Sequence, residues 1–354
     1  MRVAVIGAGN VGMAIAADLS QKGHEVCLIK SSTVRSEAYE SLLAEGGRIL
    51  VKDGGSYSEA RIFDVTENLA EVESAEVVIV TIQSTYHEAL YAVLGEHLSG
   101  DQTVVVICSY LSSYYLARRC AEYPNIVETT GPYIEGRIDL KDKPGRVVFK
   151  VGCRLTKSPL SVFHKSRSQI CMKKLHTLYN GWSDDYNIVE SALLNPNMVL
   201  HTVGAVMSIP RIEYSGGDFC MYREAYSRKN ESTLNVMLKL DEEKKQVLKR
   251  LGCRPVDVFE AGGFLGNRME SFYNYSESEL RAVSPTSVRS RYITEDVSQG
   301  LVLMESIAKH AGVDTPVCTS LIDIASAALG EDFRQQGRTV ERLEAVRFIE
   351  NMYR

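Results

Sequence analysis

A glycine cluster between two short apolar runs is the feature that most restricts how this chain can fold. The run from Val3 to Ile6 leads into GAGNVG at residues 7–12, an alanine-rich stretch follows, and a second apolar run spans Glu25 to Ile29. A GxGxxG cluster that follows a strand and opens a helix is the fingerprint of a dinucleotide-binding βαβ unit. The order of these segments therefore predicts a parallel sheet with a dinucleotide site at its edge.

Each glycine of this cluster has its own physical reason. Gly7 permits the tight turn, Gly9 lets the backbone approach the pyrophosphate, and Gly12 lets the helix lie close to the strand. The helix N-terminus adds N–H donors and a partial positive charge for the phosphates. The candidate cofactor-binding residues of this cluster are Gly7, Gly9, Asn10, Val11 and Gly12. Two further candidates, Ile82 and Gln83, lie at the end of a later apolar run.

The end of the second apolar run indicates which dinucleotide binds. An Asp or Glu there would accept hydrogen bonds from the ribose hydroxyls and repel a 2′-phosphate. This chain has Lys30, Ser31 and Ser32 instead, followed by Arg35. Because hydroxyl groups and cations suit a phosphate, the sequence favours NADP(H). NAD(H) is the alternative if these residues form only a solvated basic loop.

The two halves of the chain have different patterns. The first half alternates helical stretches with β-branched apolar runs, which is typical of parallel strands covered on both faces. Helical patterns take over from Asp184, with helix starts at Asn195-Pro196 and Thr315-Pro316 and a helix end at Gly312. We predict an α/β fold: a Rossmann-type doubly wound domain over residues 1–183, then an all-helical substrate and catalytic domain over residues 184–354. Further predicted strands are 77–82, 103–108, 125–128, 146–151 and 169–175, the last two as antiparallel additions at the edge of the sheet.

Composition excludes several classes of function. The formal net charge of −5 argues against a nucleic acid or an anionic membrane as partner. No run approaches the roughly 20 apolar residues that span a bilayer. The eight cysteines contain no CxxC pair, and no His/Cys cluster has metal-ligand spacing. We therefore expect free thiols in a reducing cytoplasm, and no metal.

His201 is the leading candidate for proton transfer. An enzyme that uses nicotinamide must move a proton while hydride moves, and histidine titrates in the useful range. His201 follows Pro196 on an apolar helix, although a core histidine would fit the same pattern. His87, just after the run that ends at Ile82, is the rival because it lies near the expected cofactor cleft.

A charged segment downstream offers partners for this histidine. Glu295 and Asp296 fit the first turn of a helix from about Ser298, where the helix dipole favours acids. They also fit a site in which Asp296 orients His201 and steadies its charged form. Arg291 or Arg289 would then bind a substrate carboxylate through paired N–H groups.

These segments resemble the opine dehydrogenase family, of the octopine and nopaline dehydrogenase type, over nearly the whole chain. The resemblance implies a dinucleotide domain followed by an all-helical domain, and NAD(P)H-dependent reductive condensation of an amino acid amine with a 2-oxo acid. The matching positions make His201 the catalytic histidine, Asp296 its acid partner and Arg291 the arginine for the substrate carboxylate. The motifs are Asn195-Pro196-Asn197 with His201, Arg211-Ile212-Glu213, Arg291-Tyr292-x-Thr294-Glu295-Asp296 with Gly300-Leu301-Val302, and Gly337-Arg338-Thr339.

Two other functions remain as alternatives. A hydroxyacid, ketopantoate or glycerol-phosphate type dehydrogenase shares the N-terminal unit but usually depends on a lysine on a helix, and the sequence shows no convincing Asn/Lys arrangement. A non-catalytic dinucleotide sensor would need the glycine cluster but not His201, Asp296 and Arg291 together. If the chain is an enzyme, its partners are small-molecule substrates, and the helical domain offers a surface for a homodimer.

Overall fold

The computed structural model describes residues 1–278 and 284–353, which form two compact units. The first unit comprises Met1–Ile82 and Tyr86–Ile188, and the second comprises Gln83–Thr85 and Val189–Arg354. The three-residue segment belongs to the second unit because Glu295 and Arg338 hold the backbone of Ser84. The domain boundary between residues 183 and 184 stays a prediction.

The first unit is built on an eight-stranded sheet. Its strands and those of a smaller sheet are β1 (Arg2–Ile6), β2 (Glu25–Ile29), β3 (Arg48–Asp53), β4 (Ser56–Arg61), β5 (Asp64–Thr66), β6 (Val77–Val80), β7 (Thr103–Ile107), β8 (Asn125–Thr129), β9 (Ile134–Asp139), β10 (Val148–Arg154), β11 (Ser158–Val162) and β12 (Trp182–Ser183). The large sheet has the order β12-β11-β8-β7-β6-β1-β2-β5. The strands from β8 to β5 in this order run parallel, and β11 is antiparallel to β8. The predicted doubly wound, mainly parallel sheet is confirmed.

The smaller sheet has the order β4-β3-β10-β9. The predicted strand at 146–151 is present as β10, but its predicted place at the edge of the large sheet is wrong. The β3–β4 hairpin leaves one edge of β3 open, and β10 pairs with that edge in parallel and with β9 antiparallel. The antiparallel addition to the large sheet is β11 instead.

The helices of the first unit lie between these strands. They are α1 (Asn10–Gln21), α2 (Glu37–Ala44), α3 (His87–Leu94), α4 (Ser113–Arg119) and α5 (Ser168–Leu178). The strand predicted at 169–175 is wrong, because this segment is part of α5. Its buried residues Cys171, Leu175 and Leu178 recur at the spacing of one helical face, not at the alternation of a strand.

The regular structure of the second unit is helical throughout its described residues, as predicted. Gly312 ends one helix in the left-handed conformation (φ +68°), and Pro316 begins the next, so both predicted signals are confirmed. The segments are α6 (Ile188–Leu193), α7 (Asn197–Val206), α8 (Ile209–Ser215), α9 (Met221–Tyr226), α10 (Glu231–Arg250), α11 (Val258–Ala261), α12 (Arg268–Glu277), α13 (Arg291–Thr294), a π-helix (Asp296–Leu301), α14 (Val302–Ala311), α15 (Pro316–Leu329), α16 (Phe333–Gln336) and α17 (Val346–Tyr353).

No single helix among the described residues is long and apolar enough to cross a membrane. One bent pair of helical segments, Ile188–Val206 and Ile209–Ser215, is together long and apolar enough by length and composition. The angle between the two segments is 68°.

Candidate active site

The turn between β1 and α1 has the geometry that a dinucleotide needs. Gly7 has a φ of +115°, which a side chain rarely adopts, and a Cβ on Gly12 would lie 1.7 Å from the Gly7 carbonyl oxygen. A Cβ on Gly9 would meet no described atom within 4 Å, so this part of the turn faces open space. Gly9 caps α1 without a side-chain hydrogen bond, which keeps the first helical N–H groups as donors for a phosphate. The turn therefore fits a bound NAD(P)H.

The other predicted residues of this turn have structural contacts within the first unit. The Asn10 side-chain oxygen accepts a hydrogen bond from the Ile138 backbone N–H at 2.9 Å, which ties α1 to β9. Val11 is half-buried against the core. Beyond β6, the Ile82 carbonyl accepts a hydrogen bond from His87 Nε2 at 3.3 Å.

An acid that the sequence reasoning missed, Glu67, lies beside the end of β2. The Lys30 side chain is buried, contacts the Ser32 carbonyl and lies 3.7 Å from Glu67. Arg35 Nε donates to the same Glu67 carboxylate at 2.8 Å, and this hydrogen bond lowers the pKa of Glu67. Ser31 and Ser32 are exposed. Both predicted cations of the phosphate site are therefore already paired with one carboxylate.

The position of Glu67 follows from the sheet. Residue 66 is the last of β5, which pairs in parallel with β2, and the Lys30 N–H donates to the Thr66 carbonyl at 2.8 Å. The next residue, Glu67, therefore emerges beside Lys30. A three-residue strand without a strong apolar pattern gave no signal from which this neighbour could have been found.

The structure brings His201 and Asp296 together in the second unit. His201 Nδ1 lies 2.8 Å from Asp296 Oδ2, and the side chains are each 4% exposed. Because a carboxylate only accepts, His201 donates its Nδ1–H, which leaves Nε2 as the ring nitrogen that can exchange a proton with a substrate. The Tyr292 ring stacks on the imidazole, with centroids 3.7 Å apart and planes 9° apart.

The two partners come from helices whose local structure explains their placement. Asn195 accepts a hydrogen bond from the Asn197 N–H at 3.0 Å, as predicted for the start of α7, and His201 follows one turn into that apolar helix. Asp296 lies in the first turn of a helix, as the alternative interpretation expects, although that helix begins at Asp296 and not near Ser298. It opens a π-helix, the kind of irregularity that often occurs at functional sites.

Glu295 connects the site residues to the segment around Ser84. Its buried carboxylate accepts hydrogen bonds from the Ser84 backbone N–H at 2.6 Å and from the Ser84 hydroxyl at 2.9 Å. Its other oxygen lies 3.3 Å from Arg291 Nη1. Burial and the neighbouring Asp296 raise the pKa of Glu295. Arg338, also buried, donates to the Ser84 carbonyl at 2.8 Å.

The two candidate arginines have different surroundings. The Arg291 side chain is 43% exposed and contacts Glu295, whereas Arg289 contacts Glu331 and donates to the Leu329 carbonyl at 3.2 Å. Arg291 is therefore the candidate that contacts Glu295, the residue directly before Asp296.

His87, the alternative candidate for proton transfer, belongs to a buried polar cluster of the first unit. His87 is fully buried, and its Nδ1 lies 2.8 Å from the Ser112 hydroxyl. Tyr91 and Ser109 also hydrogen-bond to that hydroxyl, at 3.2 and 3.0 Å. This arrangement resembles a satisfied core histidine more than a group that meets a substrate.

The helical unit matches the family model described as NAD/NADP octopine/nopaline dehydrogenase, alpha-helical domain, over residues 185–329. An opine dehydrogenase of Arthrobacter sp. (strain 1C) is 23% identical over 350 residues, covering 96% of this chain and 94% of that protein. The chain is therefore similar to the opine dehydrogenase family, in its helical unit by the family model and over nearly its whole length by this relative. This similarity confirms the resemblance found in the sequence and indicates an NAD(P)-dependent oxidoreductase.

Two further comparisons agree with this similarity. The protein ocs of Agrobacterium tumefaciens (strain Ach5) is 24% identical over 353 residues, with 97% of this chain and 95% of that protein covered. A structure of octopine dehydrogenase with NADH and L-arginine shares the fold, with a TM-score of 0.75 at 17% identity and coverage of 99% and 98%. Residues 3–109 also match the ketopantoate reductase PanE/ApbA model, as expected for a shared dinucleotide unit.

Proposed function

We propose that this chain catalyses the reductive condensation of an amino acid amine with a 2-oxo acid, and the reverse oxidation of the CH–NH product. The observation that supports this most is the buried His201–Asp296 pair, 2.8 Å apart, with Arg291 five residues before the acid. The pair supplies a proton-transfer group, and the arginine supplies a site for a substrate carboxylate. A non-catalytic sensor would need neither.

The chemistry begins with two substrates that lose water together. The amine nitrogen attacks the oxo carbon, and a proton passes from nitrogen to oxygen to give a carbinolamine. A second proton adds to its hydroxyl group, and water leaves to give a protonated imine. NAD(P)H, when bound, supplies the hydride that reduces this imine to a secondary amine. Holding the amine and the oxo acid side by side contributes much of the acceleration, because a bimolecular step becomes effectively unimolecular.

In this proposal His201 moves the proton. Asp296 accepts the Nδ1–H, so the ring is held in one orientation and its charged form is stabilised. Nε2 then gives the proton that the departing hydroxyl needs. Burial of both side chains strengthens their interaction, because little water screens it.

Arg291 is proposed to bind the carboxylate of the 2-oxo acid. Its planar guanidinium can donate two parallel N–H bonds to a carboxylate. Glu295 contacts Arg291 Nη1 at 3.3 Å and orients the group, while 43% of the side chain stays exposed for a ligand.

An amine-dependence assay tests the reaction type. We expect oxidation of NADPH or NADH with pyruvate, oxaloacetate or 2-oxoglutarate to require an added amino acid. The product should be a secondary amine dicarboxylate, detectable by mass spectrometry. Oxidation that proceeds equally with the oxo acid alone would instead favour a hydroxyacid dehydrogenase, the alternative that the shared N-terminal unit allows.

A preference for NADP(H) remains our proposal for the cofactor. The hydroxyls of Ser31 and Ser32 and the cations Lys30 and Arg35 support it, and the Glu67 carboxylate opposes it because it occupies both cations. Glu67→Gln should therefore raise the ratio of kcat/KM for NADPH to that for NADH, by about fivefold for a partly exposed charge. Steady-state kinetics with each cofactor measures this ratio.

Glu59→Gln is the matched control for that substitution. Glu59 is a partly exposed acid of the same unit and pairs with Arg146 at 2.8 Å. It should leave the ratio unchanged. An equal change with both cofactors in the Glu67→Gln variant would contradict a role at the 2′ position. A homodimer through the helical unit and a cytoplasmic location stay predictions.

A further inference from the structure

We infer that Tyr292 is a positioning residue for His201, whose ring it holds in plane and whose charged form its aromatic face stabilises. This inference rests on the proposed function, in which His201 moves the proton. Tyr292 is part of the motif that begins at Arg291, and the sequence alone predicts no role for it.

The geometry separates this contact from ordinary packing. The rings of Tyr292 and His201 are nearly parallel, 9° apart, with a centroid distance of 3.7 Å. Unconstrained aromatic pairs prefer edge-to-face or offset arrangements at larger centroid distances. Tyr222 makes such an edge contact with the same imidazole, at 6.3 Å and 81°. His201 therefore meets one aromatic face and one aromatic edge.

The two contacts of the imidazole restrict different motions. Asp296 binds Nδ1 and so restricts rotation of the ring within its plane. Tyr292 covers one face and so restricts tilting out of that plane. Together they direct Nε2 along one line, which is what proton transfer over hydrogen-bond distance requires.

The electrostatics of the contact favour the protonated ring. The face of a tyrosine ring carries negative potential and attracts a cation within about 6 Å of its centre. The surrounding ionisable groups are Asp296, which contacts the imidazole, Glu295 beside it, Arg291 next to Tyr292, and the Tyr222 ring. The Tyr292 ring, in contrast to these groups, lies over the imidazole face.

The short helix α13 links the Tyr292–His201 contact to the proposed carboxylate site. It contains Arg291 and Tyr292 as consecutive residues, so one four-residue element supplies the proposed carboxylate ligand and the cover of the catalytic ring. The position of the bound carboxylate is then linked through α13 to the position of the ring that covers His201.

The test compares Tyr292→Leu with Tyr292→Phe. Leucine removes the aromatic face, whereas phenylalanine keeps it and removes only the hydroxyl. We expect Tyr292→Leu to lower kcat for amine-dependent NAD(P)H oxidation about tenfold, with KM for both substrates within about twofold of wild type. Tyr292→Phe should restore most of the turnover.

A pH profile adds a readout that packing alone would not move. In the reductive direction His201 acts as an acid, so kcat falls as pH rises and the imidazolium loses its proton. Because the aromatic face stabilises the charged form, its removal should shift this alkaline fall to lower pH. The expected shift in Tyr292→Leu is about one pH unit, which is the size of a desolvated cation–π contact.

A third variant keeps the inference falsifiable if leucine disturbs folding. Pentafluorophenylalanine at position 292 keeps the shape of the ring but reverses the potential of its face, so the alkaline fall should again move to lower pH. Thermal unfolding of each variant checks the fold. Leu and Phe variants with equal kcat and equal pH profiles would overturn the role of Tyr292. Failure of the proposed function looks different, since wild-type turnover would then not depend on the amine or on His201.

Discussion

Replacing His201 with alanine is expected to lower kcat for amine-dependent NAD(P)H oxidation at least about 100-fold. This is the usual size of a general acid–base contribution, about 2.7 kcal/mol of barrier. Alanine also leaves Asp296 buried without its 2.8 Å partner. Cofactor affinity, measured by fluorescence titration, should stay within about twofold, because the glycine turn is intact.

His310→Ala is the matched control. His310 belongs to the same unit and also contacts a carboxylate, Glu341, at 2.7 Å, but its side chain is 23% exposed. Its removal should leave kcat near the wild-type value. Normal turnover by the His201→Ala variant would remove this histidine from the proton-transfer step, whatever the control does.

Replacing Arg291 with alanine is expected to raise KM for the 2-oxo acid roughly 30-fold or more, since two charge-assisted hydrogen bonds are lost. The effect on kcat should be smaller, because His201 and Asp296 keep their contact. Initial rates at saturating amine and varied oxo acid give both constants. The same series with varied amino acid shows which of the two substrate carboxylates the arginine binds.

Arg289→Ala distinguishes the two arginines that the sequence offers. Arg289 contacts Glu331 and the Leu329 carbonyl, and we expect its removal to leave KM for the oxo acid unchanged. A rise in KM for Arg289→Ala with none for Arg291→Ala would transfer the carboxylate site to Arg289.

The fold could be predicted where one pattern dominated. Apolar β-branched runs around the glycine cluster gave the parallel sheet, and Gly312 and Pro316 marked helix ends because each has a strong backbone preference. The segment 169–175 was misassigned because a short, half-buried run satisfies both strand and helix patterns. In the smaller sheet β3 pairs with β10, a strand far from it in sequence, and no local signal predicts such pairing.

The site could be predicted only in part, for a related reason. His201, Asp296 and Arg291 stood out by residue type, and the structure brings the first two into contact. Glu67 and Tyr292 did not stand out, because their importance depends on what lies beside them. A carboxylate next to Lys30 and a ring over His201 are properties of strand pairing and helix packing.

The π-helix at Asp296–Leu301 makes the geometry of this site depend on the number of residues in the segment. A π turn holds about one residue more than an α turn. Each residue of an α-helix rotates the chain by about 100° about the helix axis. Deleting any single residue of this segment would let the helix relax to a regular register. The face that carries Arg291 and Tyr292 would then rotate away from the core that α14 anchors. A one-residue deletion after Asp296 would therefore abolish the activity even where every side chain of the site is kept.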